Sequence, residues 1–307
     1  MCAAPTDPDK LERRTRREAR RAKQREANIS RAKKMHLARL VAAQLLPEPS
    51  DAKLNIPSIN DQKYFIGCSG WFYWHWRDIF YPGDLPSNQW FQYYARHFDS
   101  VELNAPFYSW PTVVNVKTWI RQAQQYPFVY TVKVCELITH IKRFIGTKEL
   151  VKDFGYIADL LGERMGCFLF QLPPSFHYTP GRLKSIINQL EQGRRNVVEF
   201  RHASWWNDNV YAAFQKAGII FCSCSGPRLP DYLVKTTDDI YIRFHGTKQW
   251  YRHDYSIEEL QQWADRIYKT QAKRVWVYFN NDRNGYAIKN AKILLNLLRQ
   301  KRSNQQI

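Results

Sequence analysis

Long apolar runs are missing from this sequence. No stretch approaches the roughly 20 consecutive apolar residues that a membrane-spanning helix needs, and the run from Leu40 to Leu46 is too short and too late for the core of a signal peptide. A soluble, cytoplasmic protein with no membrane span is expected. The six cysteines (Cys2, Cys68, Cys135, Cys167, Cys222 and Cys224) form no CxxC pair and no regular spacing. That argues against a disulfide framework or a zinc ribbon, and for a reducing compartment. Acidic residues are scarce: 28 Asp and Glu stand against 46 Lys and Arg, a formal net charge of +18. Such an excess attracts polyanions, whether nucleic acid, acidic lipid headgroups or phosphorylated small molecules.

Apolar and aromatic residues are plentiful, at 44% and 15% of the 307 positions, enough to bury a sizeable core. Residues 1–60 differ from the rest. Lys and Arg crowd positions 10–39 among Ala, Glu and Gln, all strong helix formers, with Asp7 and Pro8 reading as N-cap and first helical residue. Apolar residues become periodic only at Met35, Leu37, Leu40, Val41 and Leu45, so the early turns have no face to bury. Pro47, Pro49 and Pro57 mark a linker, and residues 61–302 form the expected folded domain.

From Tyr64 onward, short β-rich runs alternate with helical stretches. The predicted strands are Tyr64–Ser69, Ser100–Leu103, Phe128–Val134, Cys167–Gln171, Asn196–Phe200, Ile219–Cys224, Ile240–His245 and Arg274–Asn280. Helices are expected over Val113–Gln125, Lys148–Leu161, Gly181–Gln192, Tyr211–Ala217, Ile257–Lys269 and Tyr286–Arg299. Alternation of this kind implies parallel strands with crossover helices, and eight repeats is the number at which such a sheet closes. No GxGxxG or GxxxxGK(S/T) follows any of the strands, which weighs against an open nucleotide-binding sheet. The predicted fold is α/β, a (β/α)8 TIM-like barrel with a basic N-terminal extension.

Side chains two apart on a strand share a face, so the last inward residues of each strand should be displayed at the barrel mouth. Parity selects Ser69, Glu102 with Asn104, Lys133, Gln171, Glu199 with Arg201, Ser223, Arg243 with His245, and Asn280. The carboxyl ends of the strands, where barrels of this type carry function, are therefore polar all round. A carboxylate within Val101-Glu102-Leu103 needs a partner or a job, while a bare buried ion pair is the lesser reading of Glu199 and Arg201. Lys133 is placed either against Glu102 or against a substrate, and His140 and His202 lie in adjoining loops. Aromatics crowd the same loops: Trp71 to Trp76, Phe107, Tyr108 and Trp110, Trp205 and Trp206, and Trp250 and Tyr251. Flat rings over a cavity suit sugar faces or nucleobases, and the cations Lys133, Arg201 and Arg243 favour an anionic group on the ligand.

Several of these segments carry a resemblance. Gly67-Cys68-Ser69-Gly70-Trp71 to Phe80-Tyr81-Pro82, then Val101-Glu102-Leu103-Asn104 with Phe107-Tyr108 and Pro111, resemble the opening of DUF72 (YecE-like, UPF0759) proteins. Val132-Lys133 with Ile138-Thr139-His140 follows, then Phe170 to Phe176, Val198-Glu199-Phe200-Arg201-His202 with Ser204-Trp205, and Ile242-Arg243-Phe244-His245-Gly246. Tyr278-Phe279-Asn280-Asn281-Asp282 with Gly285-Tyr286-Ala287 and Asn290-Ala291 ends the series. The likeness spans about residues 63–299, leaves the basic arm outside it, and implies a barrel fold. It supplies no activity. Where many relatives resemble one another in an acidic residue near the end of strand six, this chain has Cys222-Ser223-Cys224, which weakens a metal site on the pattern of sugar isomerases.

Three functional readings follow. The first is an enzyme, an isomerase or hydrolase of a carbohydrate-like or phosphorylated small molecule. Glu102 and Glu199 are its acid and base, His245 a proton shuttle, and Lys133 and Arg243 its anion contacts. Ser69, Trp71, Asn104, Tyr108, His140, Gln171, Arg201, His202, Trp205, Asn280 and Asn281 complete the expected ligand shell. No metal ligand set is assigned, because Glu102, Glu199 and His245 lack a fourth member, and no cofactor is specified. The second is a nucleic-acid-binding protein or nuclease gripping phosphates through residues 10–39. The third is a non-catalytic ligand-binding scaffold.

Overall fold

The computed structural model describes residues 8–45 and 64–303. Asp7, Cys2 and the linker prolines lie outside the described residues. After a long helix α1 (Pro8–Gln44) come eight strands, joined by helices except between Ser225 and Asp239, where the connection holds none. The strands are β1 (Tyr64–Cys68), β2 (Ser100–Leu103), β3 (Val129–Lys133), β4 (Met165–Gln171), β5 (Asn196–Glu199), β6 (Ile220–Ser225), β7 (Asp239–Phe244) and β8 (Arg274–Phe279). The outer helices are α2 (Trp90–Ala95), α3 (Ala105–Tyr108), α4 (Val113–Gln122), α5 (Lys148–Leu161), α6 (Pro180–Gln189), α7 (Asp208–Ala217), α8 (Ile257–Lys269) and α9 (Tyr286–Ser303). Their starts follow local chemistry. Thr112 and Ser256 open α4 and α8 with capping boxes, Thr179 and Asn207 cap α6 and α7, and Gly218 ends α7 in the left-handed conformation.

All pairings are parallel, in the order β1-β8-β7-β6-β5-β4-β3-β2. The barrel is nearly closed at the seam between β1 and β2, where a side chain does the work of a ladder. The Tyr94 hydroxyl accepts from Cys68 N (2.9 Å) and donates to Ser100 O (3.1 Å). Gly67 is required at this seam, since a Cβ there would lie 2.1 Å from Ser100 O. Tyr94→Phe should strand both backbone groups and cost about 1–3 kcal/mol, read as a lower urea midpoint at unchanged slope.

Alternation along the strands separates two cores. Phe65, Val129, Leu169, Val197, Ile220, Tyr241, Trp276 and Tyr278 fill the barrel, with Phe65 stacked on Trp276 at 4.0 Å. Ile66, Val101, Val132, Phe168, Val198, Phe221, Ile242 and Val277 face the helices. The expected parity holds on seven strands and is reversed on β6: Cys222 and Cys224 point inward, while Ser223 Oγ faces out and accepts from Val234 N at 2.9 Å. The thiols behave as small hydrophobes, and a one-residue shift of phase exchanges the faces. All five described cysteines are free and buried.

The helix α1 runs 37 residues, about 55 Å. Its second half packs on the barrel through Asn28, Ala32 and Met35, which are buried at helical spacing. Asn28 donates to Tyr108 O (3.0 Å) and accepts from Trp110 N (2.9 Å). Arg31 bonds Ser109 Oγ, and Arg39 and His36 both reach the buried Asp153 at 3.0 Å. The apolar face expected here is not the docked one: Met35 is buried, but Leu37, Leu40, Val41 and Leu45 are exposed. Polar anchors at positions 28 and 39 set the rotation of the helix instead. No helix among the described residues is long and apolar enough to cross a membrane.

Candidate functional site at the carboxyl mouth of the barrel

The inward residues at the ends of the strands form two tiers. The lower tier is a closed charge network. Arg243 Nη1 donates to Glu199 Oε2 and its Nη2 to Glu102 Oε1, both at 2.6 Å. Glu102 also accepts from Ser69 Oγ (2.7 Å) and Tyr241 OH (2.5 Å). Arg201 Nε donates to Glu199 Oε1, and its Nη2 lies 3.1 Å from His245 Nε2. Glu102, Glu199, Arg243 and His245 are wholly buried.

Burial would raise Glu199, but the Arg201 and Arg243 guanidiniums outweigh it and hold the carboxyl well below the usual range. Arg243 is likewise held well above its ordinary value: desolvation opposes its charge, and the two glutamates overcome it. Burial and the same two arginines push His245 well down, so it is a neutral imidazole, with its Nε2 3.3 Å from Glu199 Oε1 and 3.1 Å from Arg201 Nη2. Glu199 is thus held as an anion between two arginines.

Above this floor lies a cavity of about 1010 Å³. Tyr73, Tyr108, Trp250 and Tyr251 supply aromatic walls, and Asn104, Gln171, His202 and Asn280 supply polar groups. Among the described residues its cations are Lys133, Arg201 and Arg228, against the one carboxylate Asp282. Arg201 is clamped from outside by Trp250, whose ring centroid is 4.5 Å from the guanidinium carbon. Asn104 Nδ2 donates to Ser69 O at 3.0 Å, while its buried Oδ1 has no partner among the described residues. Tyr251 and Arg228 stand at φ +67° and +64°, a left-handed backbone that such residues adopt only when surroundings impose it. Gly246, at φ +100°, lets the loop after β7 turn back toward His253.

Lys133 differs from the other basic groups of the site. It is 9% exposed, and its Nζ sits 4.0 Å from the Phe107 ring centroid with no carboxylate within ion-pair distance among the described residues. Burial first, and then Arg243, push it down to about 7. Asp282 is moved the opposite way, up to about 6, by burial, although Trp76 Nε1 (2.6 Å) and His75 (2.8 Å) both bond its carboxylate.

Of the residues expected at the site, Asn104, Tyr108, Lys133, Gln171, Arg201, His202 and Asn280 line the cavity. Ser69, Glu102, Glu199, Arg243 and His245 form the network beneath. Four others are not brought to the cavity. Trp205 is core: it stacks on Phe200 at 4.0 Å, and its Nε1 donates to Phe176 O at 2.7 Å. Asn281 is buried, donating to His253 O and Asn290 Oδ1. Trp71 packs edge-on against Phe91. His140 stands on a π-helical turn beside Phe107 and is pushed down to about 4 by burial and by Lys133. Tyr73, Arg228 and Asp282 were missing from the expected ligand shell, as was His75, which orients Asp282. Asp282 stood in a recognisable segment beside Asn281, two residues from Asn280, the position parity favoured. Nothing in the sequence around Pro227-Arg228 signals its left-handed turn.

Glu199, Cys224 and His245 bring three donor atoms within 4.8 Å of one another. They do not suit a cation, because Glu199 and His245 are already spent on the two guanidiniums, whose charges would repel it.

The model of the family described as "Protein of unknown function DUF72" matches residues 65–306. The chain belongs to the DUF72 family. A curated relative, UPF0759 protein YunF of Bacillus subtilis (strain 168), is 29% identical, over 76% of this chain and 94% of its own length. The crystal structure of a DUF72 family protein (TM1631) from Thermotoga maritima MSB8 superposes with a TM-score of 0.70 at 27% identity, covering 78% of this chain and all of that one. A second DUF72 structure, EF0366 from Enterococcus faecalis V583, is similar at TM-score 0.65 and 20% identity, over 77% and 95% of the two chains, and shares the fold. The match begins after α1, so the basic helix is an addition to the DUF72 barrel.

Proposed function

We propose that the DUF72 barrel of this chain binds and converts a small, anionic, polyhydroxylated molecule, such as a phosphorylated sugar, at its carboxyl mouth. One observation carries this reading: the buried carboxylates Glu102 and Glu199 are matched by Arg243 and Arg201, which leaves Lys133 and Arg228 on the cavity against Asp282 alone among the described residues that line it. An anion supplies the missing charge. The aromatic walls suit sugar faces, and Asn104 Oδ1 offers an acceptor for a ligand hydroxyl. The acid–base work expected of Glu102 and Glu199 is better served by Asp282 and Lys133, whose values near 6 and 7 bracket neutral pH.

A thermal-shift panel of sugar phosphates against the same neutral sugars tests this. A ligand at a hundred times its Kd should add about 2.7 kcal/mol of stability. The response should fall at least tenfold in apparent affinity in Arg228→Ala, whose side chain contributes nothing to the buried network. Equal responses to charged and neutral sugars would sink the reading.

A second reading rests on α1. Arg13, Arg16, Arg17, Arg20, Arg21, Lys23 and Arg25 are exposed on its first half, and Asn28 ties the helix to the carbonyl of Tyr108, a cavity-lining residue. A single-stranded nucleic acid laid on α1 would therefore lead toward the mouth. Binding of labelled RNA should weaken with salt at a slope of about 0.7 per neutralised phosphate. Replacing Arg13, Arg16, Arg17 and Arg20 by Gln should flatten that slope by about 3, and an unchanged slope would exclude α1 as the contact.

A further inference from the structure

Lys133 closes β3 on the inward side, is more than nine-tenths buried, and lines the cavity with its Nζ over the face of Phe107. Both carboxylates that could neutralise it are held by arginine: Glu102 by Arg243, and Glu199 by Arg243 and Arg201. A guanidinium stays protonated at any ordinary pH and grips a carboxylate with a rigid fork, so Lys133 cannot displace it. What remains is a buried amine with no carboxylate within ion-pair distance among the described residues, under the charge of Arg243 and Arg201 and lining a cavity of about 1010 Å³. A structural filler of that place would be a methionine or leucine, and a plain anion contact would be better made by a third arginine. An amine alone can lose its proton and become a nucleophile.

We infer that Lys133 is a nucleophilic amine that condenses with the carbonyl of an open-chain aldose or ketose phosphate to form an imine. This deepens the mouth-cavity reading and rests on it. The nitrogen lone pair attacks the carbonyl carbon, a C–N bond forms, and the C=O π pair moves onto oxygen. One amine proton passes to that oxygen to give a carbinolamine. Loss of the hydroxyl with the second amine proton then releases one water and leaves C=N. No oxidant or reductant takes part. The lowered value of Lys133, about 7, is consistent with this chemistry, since it leaves about half of the side chain unprotonated at neutral pH. An exposed lysine near 10.4 is unprotonated about 10³-fold less often.

The test is borohydride trapping on the full chain at pH 7, with glycolaldehyde phosphate as the probe and peptide mapping of the reduced adduct. The expected result is a single adduct at Lys133, at least 10²-fold above every other lysine, half-maximal near pH 7 and absent from Lys133→Arg and Lys133→Met. Adducts spread evenly over surface lysines, or one that survives in Lys133→Met, would overturn the inference. Glycerol phosphate, which has no carbonyl, separates the two levels. If it shifts the melting temperature and glycolaldehyde phosphate is never trapped, the imine fails and the anion site stands. If neither compound shifts the melting temperature or is trapped, both fail.

Discussion

Arg243→Met should lower the unfolding free energy by about 3–5 kcal/mol, the largest loss expected from any single substitution in the barrel. The side chain is wholly buried, and each of its Nη groups donates to a different carboxylate at 2.6 Å. Without it, Glu102 keeps only the neutral donors Ser69 and Tyr241, and Glu199 keeps Arg201 and a neutral imidazole. Two anions then share the barrel with one guanidinium. The loss therefore comes from stranded charge, and removing that charge should restore stability. The double variant Glu102→Gln, Arg243→Met is expected to recover most of it, because Glu199 keeps its Arg201 partner and the neutral amide at position 102 carries a smaller desolvation cost. Urea unfolding of Arg243→Met, Glu102→Gln and the double variant as a thermodynamic cycle measures the coupling directly. A loss under 1 kcal/mol in Arg243→Met would mean that water enters the network.

Acid provides a second view of the same network. Glu199 has a folded value well below its unfolded one, so its stabilisation is complete above the ordinary carboxylate range and is lost as pH falls through the depressed value. The wild-type barrel should keep this contribution at pH 4. Arg243→Met should lose much of it there, since the remaining carboxylates would then take up protons readily.

How much of this was legible beforehand differs from element to element, for physical reasons. Strand ends such as Glu102, Glu199 and Arg243 could be read because period-two alternation in a closed parallel barrel leaves only one place for a charged residue inside an apolar run. Residue type also explains the failure on β6, where Cys-Ser-Cys carries no strong polarity contrast and either phase is chemically acceptable. Trp205 looked like a ligand platform because its loop is aromatic. The hydrogen bond from its indole to Phe176 O and its stacking on Phe200 depend on loops that are distant in sequence. The docking of α1 is similar. Its apolar residues suggested a face, but the rotation is decided by Asn28 finding a free carbonyl and amide at Tyr108 and Trp110. Most of all, no local pattern discloses that Arg243 bridges both glutamates. That single contact, with each Nη nitrogen on a different carboxylate, joins residues 102, 199 and 243 into one network.

Lys133→Met should stabilise the fold while abolishing imine trapping, and the sign of its pH dependence is fixed. A lysine whose folded value is lowered to about 7 from an unfolded value near 10.4 binds fewer protons in the folded state between those limits. Below pH 7 both states are protonated, and the folded barrel bears the full cost of an unpaired buried ammonium. As pH rises above 7 the folded amine sheds its proton, and the wild type gains stability by up to about 1.4 kcal/mol per pH unit. Methionine has similar length, no charge and no titration, so the advantage of the variant should be a few kcal/mol at pH 6 and should shrink steadily toward pH 8.5. The comparison stops there because the buried thiols have values raised above 9, so that higher pH destabilises both proteins through them. A constant difference between the two chains from pH 6 to 8.5 would show that Lys133 carries its proton throughout, and would leave it an anion contact. A shrinking difference, together with a tolerated replacement, would mean that the barrel keeps an amine at a place where an apolar side chain is more stable. Retention of a destabilising group in a cavity is what chemistry on a bound molecule requires.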